Sequence, residues 1–103
     1  MAEWVTVAKE GEIEPGRVKL AQVGGRQLAI CNVNGAYYAI DDVCTHDGGS
    51  LDQGELLDDQ IECPRHGARF DVRSGRATAL PAVFPVATHE VREQGGEVQV
   101  LVR

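Results

Sequence analysis

Apolar positions along the chain recur with period two in short runs, broken by turn residues, and nowhere sustain a helical period. Positions 3–7 and 17–23 alternate or run apolar, separated by the breaker-rich stretch EGEIEPG, and Gly24-Gly25 divides the second run from RQLAICNV. Asn34-Gly35 stands between two apolar runs. Both central residues of a type I′ turn need positive φ, so this pair predicts a hairpin of 27–33 with 36–40. Further on, QIEC, ARFDV and RATAL read as short strands punctuated by Pro64, Gly67 and RSG, while FPVATHEV and EVQVLV flank REQGG as a final hairpin. Positions 51–57 leave room for a single helical turn. The pattern predicts an all-β fold with the Cys- and His-bearing segments on loops between strands.

Length and composition narrow this picture. At 103 residues the chain makes one domain, burying roughly 60–70% of its unfolded surface, with no room for a second catalytic domain. Apolar residues at 43% and charged residues at 25% predict folding throughout. No segment approaches the ~20 apolar residues that span a bilayer, and the opening Met-Ala-Glu-Trp-Val lacks the basic patch and apolar run of a leader, so a soluble cytoplasmic protein is expected. Three cysteines, an odd number, fit reduced thiols available for metal chemistry better than a closed disulfide framework. The net charge of -6 is localised. Six acids (Asp47, Asp52, Glu55, Asp58, Asp59, Glu62) and no Lys or Arg lie in 47–62, while the other positions balance at ten acids and ten bases. Such a field repels nucleic-acid phosphates and steers toward a basic protein surface, unless it is only a solvated acidic loop.

The chemistry concentrates in two knots, Cys44-Thr45-His46 and Cys63-Pro64-Arg65-His66, sixteen residues apart. Thiolate and imidazole are ligands for iron, copper and zinc. A structural zinc site is one reading, but common zinc fingers present their cysteines together and their histidines together. Here each loop donates one of each, as a two-iron centre requires when both loops bridge both metals.

CTH followed by CPRHG resembles the Rieske family, whose 2Fe-2S centre has two histidines in place of two cysteines on one iron. The likeness extends to LPAVFP at 80–85, comparable to the family's proline loop. It implies an antiparallel Rieske-like β-sandwich with a small cluster-binding subdomain made by two loops, at about 41–85 of a single domain 1–103. It places Cys44 and Cys63 on an inner iron and His46 and His66 on an outer iron near the surface. Two ferric ions, two sulfides and two thiolates sum to zero charge with neutral imidazoles. A neutral centre accepts an electron at less Coulomb cost than a four-thiolate dianion does.

High-potential respiratory members carry C-T-H-x-G-C and C-P-C-H-G-S-x-Y, whose extra cysteines form a disulfide. Gly49 and Arg65 stand there instead. Ala68 and Phe70 replace the serine and tyrosine whose hydroxyls favour the reduced state, so a potential near the lower Rieske limit, about -150 mV, is expected. These features resemble the ferredoxin components of bacterial ring-hydroxylating dioxygenases, which pass electrons from a flavin-containing reductase to a terminal non-haem iron oxygenase. The implied role is that of a monomeric one-electron carrier with one 2Fe-2S cluster, not an enzyme. After His46 and His66 only His89 remains, too few histidines for a mononuclear oxygenase site. A small subunit of assimilatory nitrite reductase and a zinc-stabilised binding module stay as alternatives.

Other residues have plainer roles. Cys31, mid-strand in LAICNV, reads as a small buried hydrophobe. His89 reads as a partly exposed strand residue, and Trp4, Tyr37 and Tyr38 as core or strand-surface aromatics. Gly48, Gly49 and Gly67 are expected to allow positive φ and close backbone approach, and Pro81 and Pro85 to stiffen a shielding loop. Arg65, Arg69, Arg73 and Arg76 form a basic run that either balances the acidic stretch or docks a partner.

Overall fold

The computed structural model describes residues 3–45 and 48–102. Its strands are β1 (Glu3–Lys9), β2 (Val18–Val23), β3 (Arg26–Val33), β4 (Ala36–Asp41), β5 (Glu55–Leu57), β6 (Gln60–Glu62), β7 (Arg69–Asp71), β8 (Ala77–Ala79), β9 (Thr88–His89), β10 (Val91–Gln94) and β11 (Glu97–Val102). One 3₁₀ turn, Leu51–Gln53, precedes β5. Three antiparallel sheets result, ordered β1-β11-β10, β2-β3-β4-β9 and β5-β6-β7-β8.

The sheet β2-β3-β4-β9 is the platform, and its sequence shows why. Successive strand side chains point to opposite faces. Leu28 and Ile30 of β3 and Ala39 of β4 enter one core with Val7, Val98 and Val100 of the β1-β11-β10 sheet. Ala29, Cys31 and Ile40 enter another, with Ile61, Phe70, Val72 and Leu51 from the β5–β8 side. Both faces are covered, so LAIC reads as a continuous apolar run where a one-faced strand would alternate. Each fully buried Leu, Ile or Phe contributes roughly 1.5–3 kcal/mol, so Phe70, Ile61 and Leu51 hold the second core to the platform.

The Asn34-Gly35 hairpin forms as expected, Val33 opposite Ala36 with φ +52° and +94° at the turn. In β1 the register slips between Thr6 and Ala8, and this bulge turns both Val7 and Ala8 inward. Trp4 lies on a strand surface with the Arg92 guanidinium 4.2 Å from its ring centroid. Tyr37 packs against one core and Tyr38 against the other.

Two expectations need revision. FPVATHEV is not one strand. Thr88–His89 pairs with β4 and Val91–Gln94 with β11, so the chain changes sheet at Glu90, and the final turn is Gly95-Gly96 alone, with Arg92–Gln94 inside the strand. The acidic stretch also contains a hairpin, β5–β6, turning at Asp58-Asp59 with Asp58 at φ +55°. Asp tolerates the left-handed region through its short polar side chain, but a pair of aspartates carries no hairpin signal comparable to Asn-Gly.

Gly54 matters through contact, not conformation. Its backbone is extended at φ -85°, yet a Cβ there would lie 1.8 Å from the carbonyl oxygen of Glu62, the residue before Cys63. The 3₁₀ turn therefore presses directly on the strand leading into the second knot. Gly54→Ala is expected to destabilise the protein by at least about 2 kcal/mol through overpacking, read from denaturant unfolding. An unchanged midpoint would contradict this close approach.

Candidate metal centre

Cys44 and Cys63 head two turns built alike. The Gly48 N–H donates to the Cys44 carbonyl (2.8 Å) and the Cys44 N–H donates to the Gly49 carbonyl (2.7 Å). In the second turn the Gly67 N–H donates to the Cys63 carbonyl (3.1 Å) and the Cys63 N–H donates to the Ala68 carbonyl (2.7 Å). Gly48 and Gly67 sit at φ +76° and +75°. A Cβ at either would meet nothing within 4 Å, so the left-handed backbone, not space, calls for glycine. These bonds satisfy the main-chain groups of both buried cysteines inside the turns themselves.

Both thiols are 1% exposed and belong to the core shared with Leu51, Ile61, Ala68, Phe70, Ala82 and Val86. None of the three cysteines forms a disulfide. His66 is exposed three residues beyond buried Cys63, so the second turn has a sulfur floor and an imidazole rim. His46, the fourth expected ligand, lies outside the described residues. Ala68 and Phe70 are fully buried in the same core as the cysteines, placing methyl and phenyl groups where hydroxyl donors were in question. This donor set suits a two-iron, two-sulfide group: soft thiolates within, imidazole at the edge, and walls that exclude water.

Asp42, at the entry to the first turn, was not singled out from sequence. It is 7% exposed, its N–H donates to the Gln27 carbonyl (2.9 Å), and its Oδ1 accepts from the Asp52 N–H (2.6 Å), tying β3 and the 3₁₀ turn to the segment before Cys44. Its Oδ2 is buried without a hydrogen-bond partner among the described residues. Burial first, then the neighbouring Asp52 carboxyl, pushes Asp42 up to about 6. Only the acid's position beside a Cys-containing turn is visible in sequence; its burial is a product of packing.

Cys31 is wholly buried on the cysteine side of the platform, and burial, then the nearby Asp42 charge, pushes its thiol up to about 12. His89 sits in β9, with Nε2 2.7 Å from Asp41 Oδ1 across the β4–β9 pairing. The basic run divides. Arg69 pairs with Glu62 (3.0 Å), and Arg73 pairs with Asp59 (2.8 Å) and Asp71 (3.1 Å), so these two balance local acid.

Residues 3–90 match the family described as the Rieske [2Fe-2S] domain. The chain belongs to the Rieske family. This Rieske chain is 38% identical over 94 residues to the ferredoxin component of biphenyl 2,3-dioxygenase from Rhodococcus jostii (strain RHA1), covering 91% of its own length and 88% of the relative's. It is similar to a chain in the complex of reduced oxygenase and oxidised ferredoxin in carbazole 1,9a-dioxygenase, with a TM-score of 0.90 and 38% identity over 94% of this chain and 91% of that one. A nitrite reductase small subunit from Mycobacterium tuberculosis shares the fold at a TM-score of 0.87, over 100% of this chain and 97% of that one, but at 20% identity the likeness is one of fold alone. The Rieske chain carries one 2Fe-2S cluster and is an electron-transfer component, not a catalytic one. Among the described residues no helix is long and apolar enough to cross a membrane.

Because the space beside Gly67 is open, replacing it tests conformation alone. Gly67→Ala is expected to lose about 1–2 kcal/mol in denaturant unfolding, and Gly67→Asn less, since Asn visits the left-handed region more readily. Equal losses for both would point to a steric role instead.

Proposed function

We propose that Cys44 and Cys63 hold the inner iron and His46 and His66 the outer iron of the cluster, within a cluster-binding part at about 41–85 of one domain spanning 1–103. The observation that carries this reading is the matched pair of turns, each with a buried cysteine and a closing glycine N–H.

When bound, the cluster supplies one-electron redox chemistry. The protein's residues set its terms. Two thiolates balance the metal charge inside a core that excludes water, and neutral imidazole at the rim adds no further negative charge. Exposed His66 brings a ligand edge to the surface where a partner can approach. The side chains of Ala68 and Phe70 carry no hydroxyl to donate toward sulfur, which keeps the potential low. In this reading the chain works in the cytoplasm as a monomer, taking electrons from a flavoprotein reductase and delivering them to a terminal non-haem iron oxygenase. Reduced thiols and the likeness to dioxygenase ferredoxins support it.

Purified protein is expected to contain two irons and two acid-labile sulfides per chain and to titrate near about -150 mV. His66→Cys, which replaces a neutral ligand by an anionic one, is expected to move the potential down. One metal ion per chain without sulfide would refute the ligand assignment, and a midpoint above about +100 mV would refute the role given to Ala68 and Phe70.

A further inference from the structure

The Asn34-Gly35 pair specifies the turn of the platform hairpin, and the same two residues carry a chemistry of their own. An asparagine side-chain amide is open to attack by the next backbone nitrogen, and glycine leaves that nitrogen unhindered. The chain has two asparagines, and only Asn34 precedes a glycine, whereas Asn32 precedes the branched Val33. Residues 34 and 35 are both exposed, and a Cβ at Gly35 would meet nothing within 4 Å. Water and space for a ring closure are at hand. What restrains it is the position of the Gly35 nitrogen.

Asn32 holds that nitrogen. Its Oδ1 accepts from the Gly35 N–H (2.8 Å), while its Nδ2 donates to the Ile13 carbonyl (2.6 Å). These partners fix the orientation of the amide, since a flipped group would set donor against donor and acceptor against acceptor. Asn32 is 3% exposed, its N–H donates to the Arg17 carbonyl (3.0 Å), and its own carbonyl accepts from the Gly16 N–H (2.8 Å). The acceptor is thus immobilised by residues 13–17, outside the turn that it restrains.

We propose that Asn34-Gly35 is a self-modification site kept in check by the Asn32 side chain, and that it reacts when the hairpin opens. The Gly35 nitrogen bonds to Asn34 Cγ, the Cγ–Nδ2 bond breaks, and ammonia leaves with the Gly35 amide proton. Water then opens the succinimide at either carbonyl, giving aspartate or isoaspartate, with nothing oxidised or reduced. Ring closure draws the Gly35 nitrogen away from Asn32 Oδ1, so bond and reaction exclude each other. Isoaspartate adds a methylene to the main chain between β3 and β4, strands that supply residues to both cores, and the pairing of Val33 with Ala36 is lost. A transient opening of the platform becomes a permanent change.

The test is incubation in mildly alkaline buffer, with ammonia loss and isoaspartate located by peptide mapping and mass spectrometry. Asn32→Ala is expected to convert Asn34 about tenfold faster than the wild type, the effect of losing one hydrogen bond together with the order it imposes. Val100→Ala, a core truncation outside the hairpin, lowers stability without touching the turn and should stay within about twofold of the wild type. Equal acceleration in both variants overturns the inference, because global unfolding then sets the rate. An unchanged rate in Asn32→Ala overturns it as well. A second measurement needs no variant: by hydrogen exchange in the wild type, the Gly35 amide should be protected about tenfold or more relative to a free turn amide. A Gly35 amide exchanging as fast as a free one removes the restraint and the inference with it, even where Asn32→Ala does not fold.

Discussion

Placing two thiols in an apolar core while leaving them able to bind metal is the constraint on which this structure depends. A buried thiolate needs neighbours that admit no water, yet the main chain bringing it there must have every N–H and C=O satisfied. A sheet ladder would satisfy them but would fix the thiol among packed side chains. A tight turn satisfies them locally and leaves one side open. In both turns the cysteine carbonyl accepts from a glycine N–H four residues later, and the cysteine N–H donates to the carbonyl one residue further on. Repetition of that pattern at positive φ makes the two loops equivalent despite different His spacing.

The sheets provide the walls. Covered on both faces, the platform strands cannot tilt toward either side without opening a core, so Ala29, Cys31 and Ile40 present a fixed floor to the cysteine turns. The β5–β8 sheet is small, and its ion pairs do not explain why it stays in place. Arg69 to Glu62 and Arg73 to Asp59 are partly exposed pairs, and such pairs contribute about 0–1 kcal/mol. Burial of Ile61, Phe70 and Leu51 is several times larger in sum. The ion pairs instead engage arginine near the second turn, while among the described residues Asp52 and Glu55 form no ion pair.

Local chemistry explains what was legible in the sequence. Asn34-Gly35 specifies its own turn, and the alternation in β2, β3 and β11 follows from strand geometry, so these elements needed no tertiary information. The mixed Cys/His spacing is a property of the two loops, and the proposed ligand assignment follows from it directly. What escaped depends on contacts between distant segments. The change of sheet at Glu90 is decided by which edge is free, β4 or β11, not by FPVATHEV itself. The need for glycine at position 54 comes from a carbonyl eight residues away, and the burial of Asp42 comes from the 3₁₀ turn closing over it. The opposed readings of the arginine run could be separated only by seeing that Arg69 and Arg73 face acids across β5–β8.

Three cysteines share one core, and on the proposed assignment only two of them bind metal, so burial alone does not create a ligand. Cys31 pairs with Val18 on one side and Tyr38 on the other, so its backbone is held within the sheet and its side chain packs as a small hydrophobe. Burial and the Asp42 charge raise its thiol to about 12, where it stays protonated at neutral pH and makes a poor nucleophile or ligand. Cys44 and Cys63 are almost as fully buried, but each stands where the chain leaves its strand and folds back through a glycine. On the proposed ligand assignment, the same residue type in the same apolar surroundings is inert or metal-binding according to whether its main chain belongs to a ladder or to a turn.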